Sequence, residues 1–198
     1  IKDLLPGGEP VKFEERFGEF TLRGQLDGIS GNGQTLYRCS RINNRDLIKG
    51  WIRHLALNHL RVGEEQGQET ELFGMDRGKV SKKAFSPLED AGELLHRFLK
   101  LYWQGLSEPL PLFVNSSATF VERTLKNQKT IRKDPNATCQ DPLEQALVEW
   151  EGSQFKAGER QDPSMALCFR NQTPETLPRF ESLALKVWAG LYSNLLNL

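Results

Sequence analysis

A mixed α/β (α+β) architecture follows from three features of this 198-residue chain. Residues 11–41 alternate apolar and polar side chains with the period of two that a half-buried strand requires. Residues 43–60 repeat apolar side chains at three-and-four spacing, the mark of an amphipathic helix. From residue 86 onward, helix-start signatures recur between aperiodic stretches, so strands come first and helices follow.

The first segment reads as a β-meander. Phe13, Phe17, Phe20, Leu22, Gly24 and Leu26 supply one face, with Arg16, Arg23 and Gln25 opposite. Gly18 and the run Gly28, Ile29, Ser30, Gly31, Asn32, Gly33 supply turns, because Gly and Asn accept positive φ at little cost. No Lys-Ser/Thr follows these glycines, so a hairpin turn is preferred over a phosphate loop. In the helix that follows, Leu47, Ile48, Trp51, Ile52, Leu55 and His59 form the apolar face, Asn43 is the N-cap with Asp46 three residues on, and Gly63 is the stop. His54 and His59 are five apart, off a common helical face, and read as packing or surface histidines rather than metal ligands.

An acidic loop (Glu64, Glu65, Glu69, Glu71) leads into a second hairpin turning at Asp76, Arg77 and Gly78. Its cations Arg77, Lys79, Lys82 and Lys83 read first as a solvated edge strand, since lysines discourage edge-to-edge pairing, and second as a phosphate-contacting patch. Ser86, Pro87 and Glu89 predict a helix start, with Leu88, Ala91, Leu94, Leu95, Phe98, Leu101 and Tyr102 inward and Gly105 at the end. Residues 108–113, with Pro109 and Pro111, are expected to run extended. A short helix is expected over 116–125, then a mobile basic linker over 126–141 whose Lys126, Lys129, Arg132 and Lys133 are further candidates for nucleic-acid contact. Asp141-Pro142 opens a short helix through Trp150. A last helix is expected from Thr173 to the C-terminus, with Phe180, Leu183, Ala184, Val187, Trp188, Leu191 and Leu195 inward. Trp51, Trp103, Trp150 and Trp188 are assigned to packing ahead of interface roles.

Composition narrows the function. Lys+Arg and Asp+Glu are both 26, a formal net charge of zero, which argues against autonomous tight DNA binding through phosphates. No apolar run approaches the ~18 residues of a membrane span. The start at Ile1 has no signal-peptide pattern, so a fragment of a longer protein is expected. Cys39, Cys139 and Cys168 are odd in number and scattered, as expected of reduced thiols in a soluble, cytoplasmic protein, although one bridge remains open. The sequons at Asn115, Asn136 and Asn171 are read as chance.

Strand, turn, strand and helix in residues 24–55 suggest a nuclease frame, whose chemistry would need a metal-dependent site. Such a site needs two carboxylates to hold the ion and a Lys near the attacking water, with the second acid and the Lys two apart on one strand face. None of the twelve lysines has an acid two residues before it. GxSxG, HExxH and Walker patterns are also absent.

Residues 36–41, Leu-Tyr-Arg-Cys-Ser-Arg, followed by a helix containing Trp51, Ile52, Arg53, His54 and Leu55, resemble the C-terminal domain of the exodeoxyribonuclease V gamma subunit, RecC. Tyr102 with Gly105, Leu106, Pro109, Leu110 and Pro111 agrees, as do residues 169–176 and the closing leucine-rich helix. The resemblance implies a restriction-endonuclease-like PD-(D/E)xK nuclease fold, catalytically degenerate and with added helices, forming a single domain over residues 1–198. Asp27 would sit where the first metal acid belongs, and Cys39, Ser40 and Arg41 near the missing acid-x-lysine. It further implies a non-catalytic module of the RecBCD helicase–nuclease complex, without cofactor or metal. Its partners would be RecB-like and RecD-like subunits and DNA within the assembly. The alternative is an active nuclease with an unconventional site around Asp27, Glu14 and Glu15; a third reading is a docking domain without DNA contact.

Overall fold

The computed structural model describes residues 9–31, 33–60 and 67–197. The expectations for Ile1, Asn32, Gly63, Glu64 and Glu65 lie outside them. The architecture is a mixture of α and β, arranged as two compact units, Ile1–Gln104 with Asn194–Leu198, and Gly105–Ser193.

In the first unit, β1 (Val11–Phe17) and β2 (Phe20–Leu26) pair antiparallel as a sheet of their own. β3 (Ile29–Ser30) and β4 (Gly33–Tyr37) instead join a five-stranded sheet with β5 (Glu69–Asp76), β6 (Lys79–Phe85) and β9 (Leu195–Asn197), in the order β3-β4-β5-β6-β9. The expected single meander is therefore broken between β2 and β3. Asp27 and Gly28 make the break: Gly28 is in the left-handed region at φ 72° and its carbonyl accepts from Thr35 N at 2.8 Å. β4 and β5 are parallel, Leu36 beside Leu72 and Tyr37 beside Phe73, and α1 (Asn44–Leu60) is the crossover between them.

Local chemistry sets α1 as expected. Asp46 N donates to Asn43 Oδ1 at 3.1 Å and Asn43 N to Asp46 Oδ2 at 2.9 Å, a reciprocal cap. Its buried face is rotated from the predicted stripe: Leu47, Trp51 and Leu55 are buried, but so are His54, Leu57 and Asn58, while Ile52 is exposed. His54 is inside because two elements partner it. Thr70 Oγ1 lies 2.9 Å from Nδ1 and the Ser86 carbonyl accepts at 3.0 Å from Nε2. Burial holds this imidazole down to a pKa of about 4, against the opposing pull of the Ser86 carbonyl. Trp51 and Phe85 meet edge to face beside it at 5.2 Å.

The second hairpin turns at Arg77 (φ 50°) and Gly78 (φ 77°), a two-residue turn whose positive φ values suit the strand twist. α2 runs Ala91–Gly105, not from Ser86. Ser86 N donates to the Asn194 carbonyl at 3.1 Å, so this residue is tied to the end of the chain instead of capping a helix. Tyr102 and Trp103, at 67% and 62% exposure, are outside the α2 core; Trp103 rests edge-on against Phe20.

The second unit packs around Phe113. Its ring lies 4.3 Å from that of Trp150, 5.1 Å from Phe169 and 5.9 Å from Phe180. Residues 108–113 carry no helix or strand, as the prolines require. α3 is Val114–Lys133, so the basic residues 126–133 belong to a helix where a linker was expected. Thr124 and Thr130 bond back to the carbonyls of Phe120 and Lys126, and Asn127 Nδ2 donates to the Gln140 carbonyl at 2.7 Å. α4 (Pro142–Glu151) is capped by Asp141 as expected, at 2.8 Å from Leu143 N. A short hairpin, β7 (Gly152–Ser153) and β8 (Lys156–Ala157), and α5 (Pro163–Cys168), capped by Asp162, were not foreseen. α6 is Phe180–Asn194, beginning later than the predicted Thr173 because Arg179 holds φ 77° immediately before it. Phe180, Leu183, Ala184, Val187, Trp188 and Leu191 are buried as predicted, whereas Leu195 belongs to β9. The three cysteines are free.

Candidate functional site

The carboxyl end of β4 is where the chain leaves the sheet for α1, and Arg38, Asp46, Lys49 and Arg53 line a cleft there. Arg38 N extends the ladder by donating to the Phe73 carbonyl at 3.0 Å. The loop that follows is pressed against β5: Met75 N donates to the Ser40 carbonyl at 3.1 Å. A Cβ on Gly74 would lie 2.7 Å from Ile42 Cγ1 and 2.9 Å from the Ser40 oxygen, so only glycine lets the loop approach this closely.

Asp46 serves twice here, as the cap partner of Asn43 and as the acceptor for Arg38, whose Nη1 lies 2.6 and 2.5 Å from its two oxygens. One α1 turn apart from each other, Lys49 and Arg53 project from the same side of the helix. Arg53 Nη1 reaches Asp27 Oδ1 at 2.5 Å. Between α1 and the strand ends is a cleft of about 180 Å³ lined by Leu36, Tyr37, Arg38, Ile42, Asp46, Lys49, Gly50, Arg53, Leu72 and Phe73. Its floor is apolar and its rim cationic. Arg38 and Arg53 are each held by a carboxylate, and Lys49 has no ion pair among the described residues.

The predicted site residues are distributed unevenly about this cleft. Asp27 is in the turn after β2, not on a strand, and it bonds a rim cation. Cys39, Ser40 and Arg41 are exposed in the loop beyond β4; Ser40 Oγ accepts from Arg38 Nε. Glu14 and Glu15 lie on alternate faces of β1, the first paired to Arg23 at 2.9 Å and the second 3.9 Å from His59 Nε2, so the alternative three-acid site is not assembled. Among the described residues, no three His, Cys, Asp or Glu side chains converge to hold a metal ion.

Lys82 is bound to Glu71 at 2.5 Å and lies 5.7 Å from the Phe73 ring centroid, and Lys83 is opposite Leu72. Arg77 and Lys79 stand at the turn, exposed. Lys126, Lys129, Arg132 and Lys133 are exposed on the last turns of α3, in the other unit. Sequence reasoning missed Lys49 and Arg53. Their signal was a basic i, i+4 pair on the polar side of a helix that directly follows a strand end.

The family profile described as the RecC C-terminal domain matches residues 1–124, more than half of the chain. This chain belongs to the RecC C-terminal domain family. Relatives agree over a longer stretch. The RecBCD enzyme subunit RecC of Mycobacterium tuberculosis (strain CDC 1551 / Oshkosh) is 24% identical over 173 residues, 85% of this chain and 14% of the relative. The Escherichia coli (strain K12) RecC subunit is 23% identical over 172 residues, 86% of this chain and 15% of its own length. That of Buchnera aphidicola subsp. Acyrthosiphon pisum is 24% identical over 159 residues, 78% and 14% respectively. The chain thus spans about a seventh of these RecC subunits, and the RecC C-terminal match includes β4, α1 and the cleft between them. Among the described residues, no helix is long and apolar enough to cross a membrane.

Proposed function

We propose that this RecC C-terminal domain is a non-catalytic structural and DNA-guiding part of a cytoplasmic RecBCD-type helicase–nuclease complex. It would act in double-strand break repair and homologous recombination by docking RecB-like and RecD-like subunits and positioning DNA strands. The observation that carries this reading is the charge at the end of β4. A nuclease of the PD-(D/E)xK type would place carboxylates there to hold a divalent cation. In this chain the cleft presents Arg38, Lys49 and Arg53, and the nearest carboxylates, Asp27 and Asp46, are bound to two of them. The β4-α1-β5 crossover supports descent from that nuclease frame, with a cationic surface in place of a metal site.

The test has two arms. With Mg²⁺ or Mn²⁺, the purified chain should leave single- and double-stranded DNA uncut, and immobilised chain should retain a RecB-like or RecD-like subunit offered separately. Metal-dependent cleavage abolished by Asp27→Ala would overturn the non-catalytic reading. Retention of a subunit together with very weak DNA binding that salt does not alter would leave a docking role without DNA contact.

A further inference from the structure

We propose that the cleft at the end of β4 holds the backbone of single-stranded DNA, with Lys49 binding a phosphate and the Tyr37 ring stacking on the neighbouring base. This rests on the DNA-guiding reading and gives it a place on the chain.

Three observations converge. The cleft has three cations on its rim, and the two carboxylates at hand are already engaged, so a phosphodiester would meet a surplus of positive charge. Arg38 and Arg53 each keep further guanidinium N–H donors beyond those used on Asp46 and Asp27, and Lys49 is exposed. Two arginines held by carboxylates, beside a lysine with no ion pair among the described residues, suit an anion and repel a metal ion. The second observation is Tyr37, which lines the cleft yet is 63% exposed, an uncovered aromatic face at the mouth of a cationic site. Its parallel-strand neighbour Phe73 also lines the cleft, with the Lys82 ammonium 5.7 Å from its ring centroid. Third, Leu36, Ile42 and Leu72 make the floor apolar, which suits a sugar edge beside the phosphate. Aromatic faces beside phosphate-pairing cations are the combination that binds unpaired bases without sequence preference, whereas a duplex keeps its bases from such a ring.

The test uses the full chain and a fluorescein-labelled oligodeoxythymidylate, read by anisotropy over a salt series. Lys49→Gln should weaken binding and reduce the slope of log affinity against log salt by about 0.7, the value of one lost single-strand phosphate contact. Tyr37→Ala should weaken binding roughly fivefold or more without changing that slope, and Tyr37→Phe should restore it. Both side chains are exposed, so the unfolding midpoints should stay where they are. Affinity within twofold of the parent for both Lys49→Gln and Tyr37→Ala overturns the proposal, as does tighter binding of an acidic peptide than of the oligonucleotide at the same residues. In the assembled complex, 4-thiothymidine in the bound strand should crosslink to Tyr37. A complex that assembles and holds DNA without that crosslink defeats this site and leaves the DNA-guiding reading standing; a parent chain that captures neither partner subunit nor DNA defeats the reading itself.

Discussion

Arg53 on α1 grips Asp27 in the turn after β2, with Nη1 2.5 Å from Oδ1 across a sequence separation of 26. The pair ties the crossover helix to the turn that starts the five-stranded sheet. Both side chains remain substantially exposed, at 41% and 57%. Solvent therefore screens the attraction, and Arg53→Ala should cost less than about 1 kcal/mol in urea unfolding. Freeing Asp27 in this way should not create a metal site, since among the described residues no cluster of metal-ligating side chains includes it: titration calorimetry of Arg53→Ala with Mg²⁺ should give no binding heat. A saturable Mg²⁺ isotherm that disappears in the Arg53→Ala, Asp27→Ala double variant would count against the cationic reading of the cleft.

His54 makes the chain sensitive to mild acid. It is fully buried and neutral, with a folded pKa of about 4 against an ordinary 6.5. The unfolded chain therefore binds a proton that the folded chain refuses throughout that interval, so stability is complete above pH 6.5 and is lost as pH falls toward 4. A shift of this size corresponds to about 3 kcal/mol over the window. Urea midpoints measured between pH 7 and pH 4.5 should fall for the parent and fall distinctly less for His54→Gln. Parallel pH profiles for the two proteins would remove His54 as the cause.

The difference between what was legible in the sequence and what was not follows the range of the interactions. The caps at Asn43 and Asp141 were readable because donor and acceptor are two or three residues apart. The inward face of α6 was readable because a long apolar stripe has one way to hide. Ser86 misled, since it has every local feature of an N-cap and yet its amide is claimed by Asn194, 108 residues away. His54 is legible as a packing or surface histidine, but which of the two it is depends on Thr70 and Ser86, neither in its helix. For the site, the missing acid-x-lysine could be established by inspection alone. The cations that stand at the same end of the strand could not, because Lys49 and Arg53 look like any solvated helix face until β4 and β5 are placed beneath them.

Gly74 should be the most sensitive backbone position near the cleft. The space for a Cβ is occupied by Ile42 and by the Ser40 carbonyl, which itself accepts from Met75 N. Gly74→Ala must push residues 40–42 off the strand, at a cost of about 1–3 kcal/mol for an overpacked site. Gly78→Ala, at a turn with open space but φ 77°, should be costly for a different reason, conformational strain of roughly 1 kcal/mol. Binding of labelled single strand should separate the two: impaired by Gly74→Ala, unaffected by Gly78→Ala at temperatures where both are folded.

In the second unit, the start of α3 poses a conflict that Glu159 resolves. Phe113 occupies the N-cap position and offers no side-chain oxygen, because the aromatic core needs its ring at that point. The first-turn amides, which no side chain of the cap residue can reach, would then lack an acceptor inside the protein. Glu159, in the turn Glu159–Gln161, supplies the acceptors: Oε1 takes Asn115 N at 2.8 Å, and Oε2 takes Ser116 N at 2.8 Å and Ser116 Oγ at 2.7 Å. A carboxylate at this end of the helix also meets the positive pole of its dipole. Glu159→Ala should therefore cost about 2 kcal/mol, more than an ordinary exposed cap, since Ser116 is fully buried and water cannot replace the lost acceptor. Ser116→Ala alone should cost less, as it removes one of the three donors. A double-mutant cycle in urea should show a coupling of about 1 kcal/mol between the two positions; strictly additive losses would mean that α3 is held by packing against Phe113 and not by this carboxylate.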